Sequence, residues 1–174
     1  MSKSYWMDDQ SGNFSNKRED TFDPQKQYLG VRLQQGVPLL DRDWNEMEDI
    51  RRYWDVQLKR WYIGNGVPYG DNGFEISPTA PATLDFRIRK GRCMVDGFDV
   101  VNQPPGDAEF ITYSQQEGED DLAQLPVGTL HTVYLDVWVR EVTGLLDKSL
   151  TNTQDIDIET AVRHCLGWRV RVVN

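Results

Sequence analysis

The chain has 174 residues, 39% of them hydrophobic and 27% charged, too apolar for a disordered polymer and too polar for a membrane-embedded one. Nineteen Lys and Arg stand against 28 Asp and Glu, and the formal charge of -9 repels a phosphate backbone, which argues against nucleic acid as a partner. The length is that of one ordinary domain with extensions, so a multidomain enzyme is not expected.

The opening MSKSYWMDDQ lacks the apolar run of a secretory signal, and no stretch reaches the ~18 apolar residues of a spanning helix. Residues 1 to 22 are polar with isolated aromatics, Tyr5, Trp6 and Phe14, and carry no period of 2 or 3.6. That pattern predicts an extended arm whose rings anchor on a neighbour. From Phe22 to Leu40, Pro24, Gly30, Gly36 and Pro38 forbid a long helix and leave short extended pieces such as Tyr28 to Leu33, so residues 1–40 read as arm and linker.

Residues 41–63 predict one long amphipathic helix. Asp41 stands at its N-cap, acids crowd its first turns, Lys59 and Arg60 its last, and Gly64 stops it. Met47, Ile50, Trp54, Leu58 and Trp61 recur at steps of three and four, a stripe that either packs on the protein's own sheet or meets another subunit. Met47, Trp54 and Trp61 also share heptad spacing, and three of the six tryptophans, Trp44, Trp54 and Trp61, fall on this segment. A tryptophan truncated in a packed setting costs on the order of 3 kcal/mol or more, enough for such rings to hold an attachment.

Beyond Gly64 the period becomes two, and residues 64–174 predict an antiparallel, β-rich domain with long loops. Leu84, Phe86 and Ile88 alternate with charges, and Asp96-Gly97 between Cys93–Val95 and Phe98–Val101 signals a hairpin, so 84–101 is expected to form a small meander. An acidic loop, QQEGEDDLAQ, precedes the alternating TVYLDVWV at 132–139, and Trp168–Val173 is the last strand. The fold class expected is α+β, mostly β, with no internal repeat.

No reaction chemistry is singled out. Asp41, Asp43 and Asn45 have the spacing of a calcium loop, but Glu46 stands where that loop needs Gly and Arg52 where it needs Glu, so helix capping explains these acids better. The two histidines, His131 and His164, lack a third ligand nearby, and His164 beside Cys165 on a strand would point away from it. Cys93 and Cys165, far apart and without a CxxC, are expected as buried thiols in a reducing cytoplasm. The chain contains no GxSxG, HExxH, GxxxxGK[ST] or GxGxxG, so no catalytic, cofactor or metal residue is assigned. Tyr69 and Tyr113, near turns, could stack on sugars, and the abundant carboxylates leave a hydrolase pair open by inventory alone.

TFDPQKQYLGVRLQQGVPLLDRDWNE, residues 21–46, resembles the opening signature of an uncharacterised family encoded with phage tails and contractile injection systems. Phe22, Asp23, Pro24, Lys26 and Tyr28 match its F-D-P-x-K-x-Y element. Val31, Gln34, Gln35, Gly36, Leu39, Asp41, Asp43, Trp44, Asn45 and Glu46 match V-x-x-Q-Q-G-x-x-L-x-D-x-D-W-N-E. Residues 134–143 and 159–173 resemble later segments, while the longer N-terminal arm, Cys165 and Gly167 depart from the pattern.

The resemblance implies a structural component of a baseplate, spike or fibre, assembled in the cytoplasm into a phage-like particle and not exported by a signal peptide. Its expected partners are copies of itself, a trimer preferred, and other particle subunits, with no cofactor. Trp6, Phe14, Phe22, Tyr28, Trp44, Met47, Ile50, Trp54, Leu58 and Trp61 are the interface candidates. The alternatives are a module binding cell-surface glycan and, further behind, a carboxylate-dependent polysaccharide hydrolase.

Overall fold

A computed structural model describes residue 14 and residues 21–80, 85–116, 130–152, 154, 156 and 158–173. Trp6 and most of the expected arm, the strand start at Leu84 and the acidic stretch from Glu117 to Asp121 lie outside the described residues. The fold is α+β and mostly β, with one α-helix and antiparallel sheets among the described residues. Two compact units divide the chain: Met1–Leu58 with Val139–Cys165, and Lys59–Trp138 with Leu166–Asn174. Below they are the first and the second unit.

The helix α1 runs from Asp41 to Tyr62, with Asp41 and Asp43 in its first turn and Lys59 and Arg60 in its last, each sign matched to the helix dipole. It ends where Gly64 adopts φ +75° and its N–H bonds Lys59 O at 2.9 Å. The expected stripe does not form one buried face. Ile50 is 1% exposed and Met47 half-buried, whereas Trp54, Leu58 and Trp61 are exposed, and the other buried residues of α1 are Glu46 and Val56. Steps of three and four instead place Trp44, Glu48, Arg51, Asp55 and Leu58 together on the open side. Part of the reason lies in what covers the helix: Thr21 bonds Glu46 and Phe22 meets Tyr53, so the preceding chain returns on that side and leaves Trp44 and Leu58 open.

The first unit also contains a small pair, β7 (Thr151–Asn152) and β8 (Ile158–Glu159). Nearby, Glu159 Oε2 accepts the Gly144 N–H at 2.6 Å.

In the second unit, β1 (Ile76–Pro78), β2 (Phe86–Arg89) and β5 (Phe110–Thr112) form an antiparallel sheet in the order β1-β2-β5, with Ile88 opposite Ile76 and Ile111. Next come β3 (Gly91–Val95) and β4 (Phe98–Asn102), a hairpin closed by Asp96 and Gly97 at φ 51° and 83°. Two positive φ values are the backbone of a type I′ turn, as the Asp-Gly pair predicts. The meander expected over 84–101 is therefore split, because β2 belongs to one sheet and β3 to another. The chain changes sheets at Gly91, where φ is +142° and an added Cβ would lie 2.5 Å from Gly73 Cα. Only a residue without Cβ passes there.

Ile88, Tyr113, Val170 and Val172 form the core of this unit, with Phe74, Phe86, Leu135 and Trp168 packed around them. Edge-on contacts between Phe74 and Trp168 at 5.0 Å, and a tilted one between Phe86 and Tyr113 at 4.9 Å, fill the space at the core's margin. Two buried amides join separate elements. Gln116 Nε2 donates to Val170 O at 3.2 Å while its Oε1 accepts the Val170 N–H at 2.7 Å, and Asn102 Nδ2 donates to Arg89 O at 3.0 Å. Leaving such groups unpaired would cost roughly 1–3 kcal/mol each, so they fix the register of the elements they join.

The longest strands are β6 (Thr132–Val142) and β9 (Arg163–Val173), which pair with each other. Across them Arg171 Nε donates to Asp136 Oδ2 at 2.7 Å, and Arg169 stacks over the Trp138 ring. Gly167 lies under that ring, where a Cβ would come 2.6 Å from Trp138 Cε2.

Candidate assembly interface

The residues of the 21–46 signature carry a local architecture, all of it within the first unit. Asp23 accepts the Gln25 N–H at 2.9 Å and caps a 3-10 turn, Pro24–Lys26, in which Pro24 supplies a pre-set φ. Gln27 then takes φ 56° and turns the chain, and Lys26 lies over the Tyr28 ring. Three ties fasten this turn to α1. Thr21 Oγ1 donates to buried Glu46, the Phe22 ring meets Tyr53 edge-on at 6.1 Å, and Trp54 Nε1 donates to Tyr28 O at 3.1 Å. The motif thus works as a clasp that holds residues 21–28 on the helix.

What the clasp delivers is an apolar surface. From Tyr28 to Leu40 every residue is exposed except half-buried Val31, including Leu29 at 81%, Leu33, Val37, Leu39 and Leu40. Trp44, half exposed at 50%, Trp54 and Leu58 extend this surface along α1. Isolated apolar side chains on a surface mean little, but this density within one compact unit makes the region the candidate to consider. In the second unit Trp61, Tyr62 and Ile63 are exposed as well.

Of the residues expected from the sequence, Tyr28, Trp44, Trp54, Leu58 and Trp61 are thus exposed, Phe14, Phe22 and Met47 are half-buried, and Ile50 is interior. Sequence reasoning passed over Leu29, Leu33, Val37, Leu39 and Leu40. Their signal was available: five large apolar residues sit in a stretch where Gly30, Gly36 and Pro38 interrupt any long element that could bury them.

The other polar arrangements read as structural. In the second unit a cleft of about 460 Å³ is lined by Asp71, Arg89, Lys90, Arg92 and residues from Val101 to Pro104 and from Asp107 to Glu109. Its cations face carboxylates: Lys90 Nζ lies 2.7 Å from Glu109, Arg89 3.6 Å from Glu75, and Arg92 pairs with Asp99. Among the described residues no three His, Cys, Asp or Glu side chains gather as metal ligands would. Tyr113, considered above as a sugar platform, is 0% exposed and belongs to the core, while Tyr69 is fully exposed.

His164 meets a guanidinium. Its Nδ1 lies 3.1 Å from Arg52 on α1, and burial together with that guanidinium pushes the imidazole below its ordinary pKa, with Glu141 opposing. Since a guanidinium only donates, Nδ1 is the acceptor in this bond. Cys93 on β3 and Cys165 on β9 are half-buried thiols not joined in a disulfide, and burial pushes the Cys93 thiol up.

No curated protein and no solved structure matches the chain. A family model does match, over residues 11–174, and so takes in the clasp, the exposed segment and both units. The chain belongs to that family, DUF6519, a family of unknown function.

Proposed function

We propose that this protein is a non-enzymatic structural subunit of a contractile injection system or phage-tail particle, placed at a baseplate, spike or fibre and acting by protein–protein assembly. In this reading residues 1–40 are a docking arm and linker, α1 is amphipathic toward its partners, and assembly takes place in the cytoplasm with copies of the same chain and other particle subunits. The observation that carries the assembly role is the uncovered apolar surface of the first unit, from Tyr28 to Leu40 with Trp44, Trp54 and Leu58. The likeness of the 21–46 signature to phage-tail and injection-system proteins supplies the kind of particle.

The test is incorporation. A Trp44→Ala/Trp54→Ala double variant, produced with the rest of the particle, is expected to remain folded and soluble yet to be missing from purified particles probed by immunoblot. Normal incorporation of that variant, or absence of the wild-type chain from any particle fraction, overturns the proposal.

A further inference from the structure

In an Asn-Gly pair the side chain can react with its own backbone. With no Cβ on the second residue to obstruct it, the peptide nitrogen between the two can reach the Asn Cγ and close a five-membered ring. The chain has two such pairs, Asn65-Gly66 and Asn72-Gly73, in one turn-rich stretch of the second unit. Both asparagines are exposed. Hydrogen bonding separates them.

At Asn65 both reacting groups are occupied. Its Oδ1 accepts the Asp96 N–H at 2.7 Å, which fixes the side-chain amide against the β3–β4 turn. The nitrogen that would attack, Gly66 N, donates to Met94 O at 3.0 Å, and the Met94 N–H returns a bond to Gly66 O at 2.8 Å. Arg60 Nε donates to Asp96 O at 3.0 Å and holds the turn from its other side. Ring closure at Asn65 therefore has to wait for this set of bonds to open. Asn72 is held by none of its kind. Its carbonyl accepts the Glu75 N–H at 3.1 Å and closes a turn, but among the described residues neither its side-chain amide nor the Gly73 N–H has a hydrogen-bond partner.

We infer that Asn72 is a self-modification site, which deamidates in the folded chain while Asn65 is protected. Gly73 N attacks Asn72 Cγ; the new C–N bond replaces the bond to the side-chain nitrogen, which leaves as ammonia with the proton of Gly73 N, and a succinimide ring remains. Water then breaks one of the ring's two acyl C–N bonds, with no change of oxidation state. Opening at Cγ gives aspartate, and opening at the main-chain carbonyl gives isoaspartate, whose main chain runs through Cβ and Cγ and is one methylene longer. The place gives that methylene a consequence. A Cβ on Gly73 would lie 2.6 Å from Arg92 N, and Gly73 Cα is the atom that Gly91 passes. Just after it the Phe74 N–H donates to Arg89 O and the Arg89 N–H to Glu75 O, both at 3.0 Å, which registers this turn on β2. Close-packed backbone on one side and ladder bonds on the other leave no slack for an added atom, so isoaspartate at 72 destabilises the second unit, whereas aspartate adds a charge and keeps the chain length.

Nothing in this step depends on the assembly reading, and its test uses the purified full-length chain. The chain is aged at mildly alkaline pH, where the attacking nitrogen is more readily deprotonated, then digested and sequenced by mass spectrometry with electron-transfer fragmentation, which tells aspartate from isoaspartate. Asn72 is expected to convert at least about tenfold faster than Asn65, because the bonds to Asp96 and Met94 must both open before Asn65 reacts. In guanidinium chloride, where those bonds are gone, the two rates should converge. The aged chain should contain isoaspartate at 72 and melt at a lower temperature than a fresh Asn72→Asp variant, which carries the charge without the methylene. Asn65 reacting as fast as Asn72 in the folded chain, a gap that persists in guanidinium chloride, or no product at Asn72 under conditions where the unfolded chain reacts at both sites overturns the inference. An aged chain with isoaspartate at 72 that melts with the Asn72→Asp variant overturns the consequence drawn from the Gly73–Gly91 contact.

Discussion

At the scale of single residues, the sharpest contrast is between Ile50 and Trp44, six positions apart on α1. Ile50 is interior, so Ile50→Ala should lower unfolding free energy by about 2–5 kcal/mol in urea melts. Trp44 is half exposed, and Trp44→Ala should cost less than about 1 kcal/mol despite removing the larger side chain. Equal losses would mean that the Trp44 ring is held inside the isolated chain. Gly91 is a steric case. An added methyl would meet Gly73 Cα, a backbone atom that cannot swing aside, at a φ of +142°, so Gly91→Ala should destabilise by at least about 3 kcal/mol, read as lost soluble yield or a collapsed thermal transition.

His164 gives the pH dependence its sign. Its folded pKa lies below the ordinary value because burial and Arg52 favour the neutral ring. The unfolded chain therefore binds the proton more readily, and stability is full above the unfolded pKa near 6.5 and declines as pH falls toward the folded value. Thermal melts between about pH 7.5 and 5 should show that decline, and His164→Gln, which keeps an acceptor for Arg52 without a titrating ring, should flatten it. Asp85 acts on a lower limb. Burial raises its carboxyl, but bonds from Ser114 Oγ at 2.7 Å, the Phe86 N–H at 2.8 Å and the Ser114 N–H outweigh burial and leave it below the usual range. Its share of stability is present above about pH 4 and lost as pH falls through the lowered pKa.

At the scale of elements, the clasp can be tested apart from the surface it presents. Asp23→Ala removes the cap of the Pro24–Lys26 turn, and Trp54→Phe keeps a ring while deleting the donor to Tyr28 O. Each change should cost about 1 kcal/mol and speed proteolytic cleavage within 28–40 several-fold while leaving the second unit's resistance unchanged. Uniform sensitivity across both units would show that the clasp is not a local device. The legible part of the fold follows the same division between local and distant causes. The span of α1, the Asp96-Gly97 hairpin and the strands at 132 and 168 rest on local chemistry: charge placement, turn residues and alternation. The side of α1 that is covered was not legible, because it depends on where Thr21 and Phe22 return to the helix, a contact made 25 residues along the chain by the Thr21–Glu46 bond. The split of β2 from β3 hinges on Gly91 meeting Gly73, which no period encodes. For the candidate interface the rings of α1 could be named in advance, but Leu29 to Leu40 stand out only once the structure leaves them uncovered.

At the scale of the whole molecule, the proposed assembly role has a thermodynamic consequence, because a subunit that waits with an apolar surface differs from one that meets its partner through charges. A stable contact of standard size buries roughly 1,200 Å² or more, and apolar burial makes the heat capacity of association negative. Association of the chain, followed by calorimetry of dilution at several temperatures, should therefore become steadily more exothermic on warming. Tryptophan emission offers a site-specific check, since Trp44 and Trp54 face water in the isolated chain. Their emission should move to shorter wavelength as concentration rises through the association range, and the Trp44→Phe/Trp54→Phe variant should lack most of that shift. A shift retained in the double variant would move the contact to Trp61 or another tryptophan, and an association enthalpy independent of temperature would mean that the apolar surface stays wet when copies meet. Both readouts need only the purified chain, so they separate what this surface does from which particle it serves.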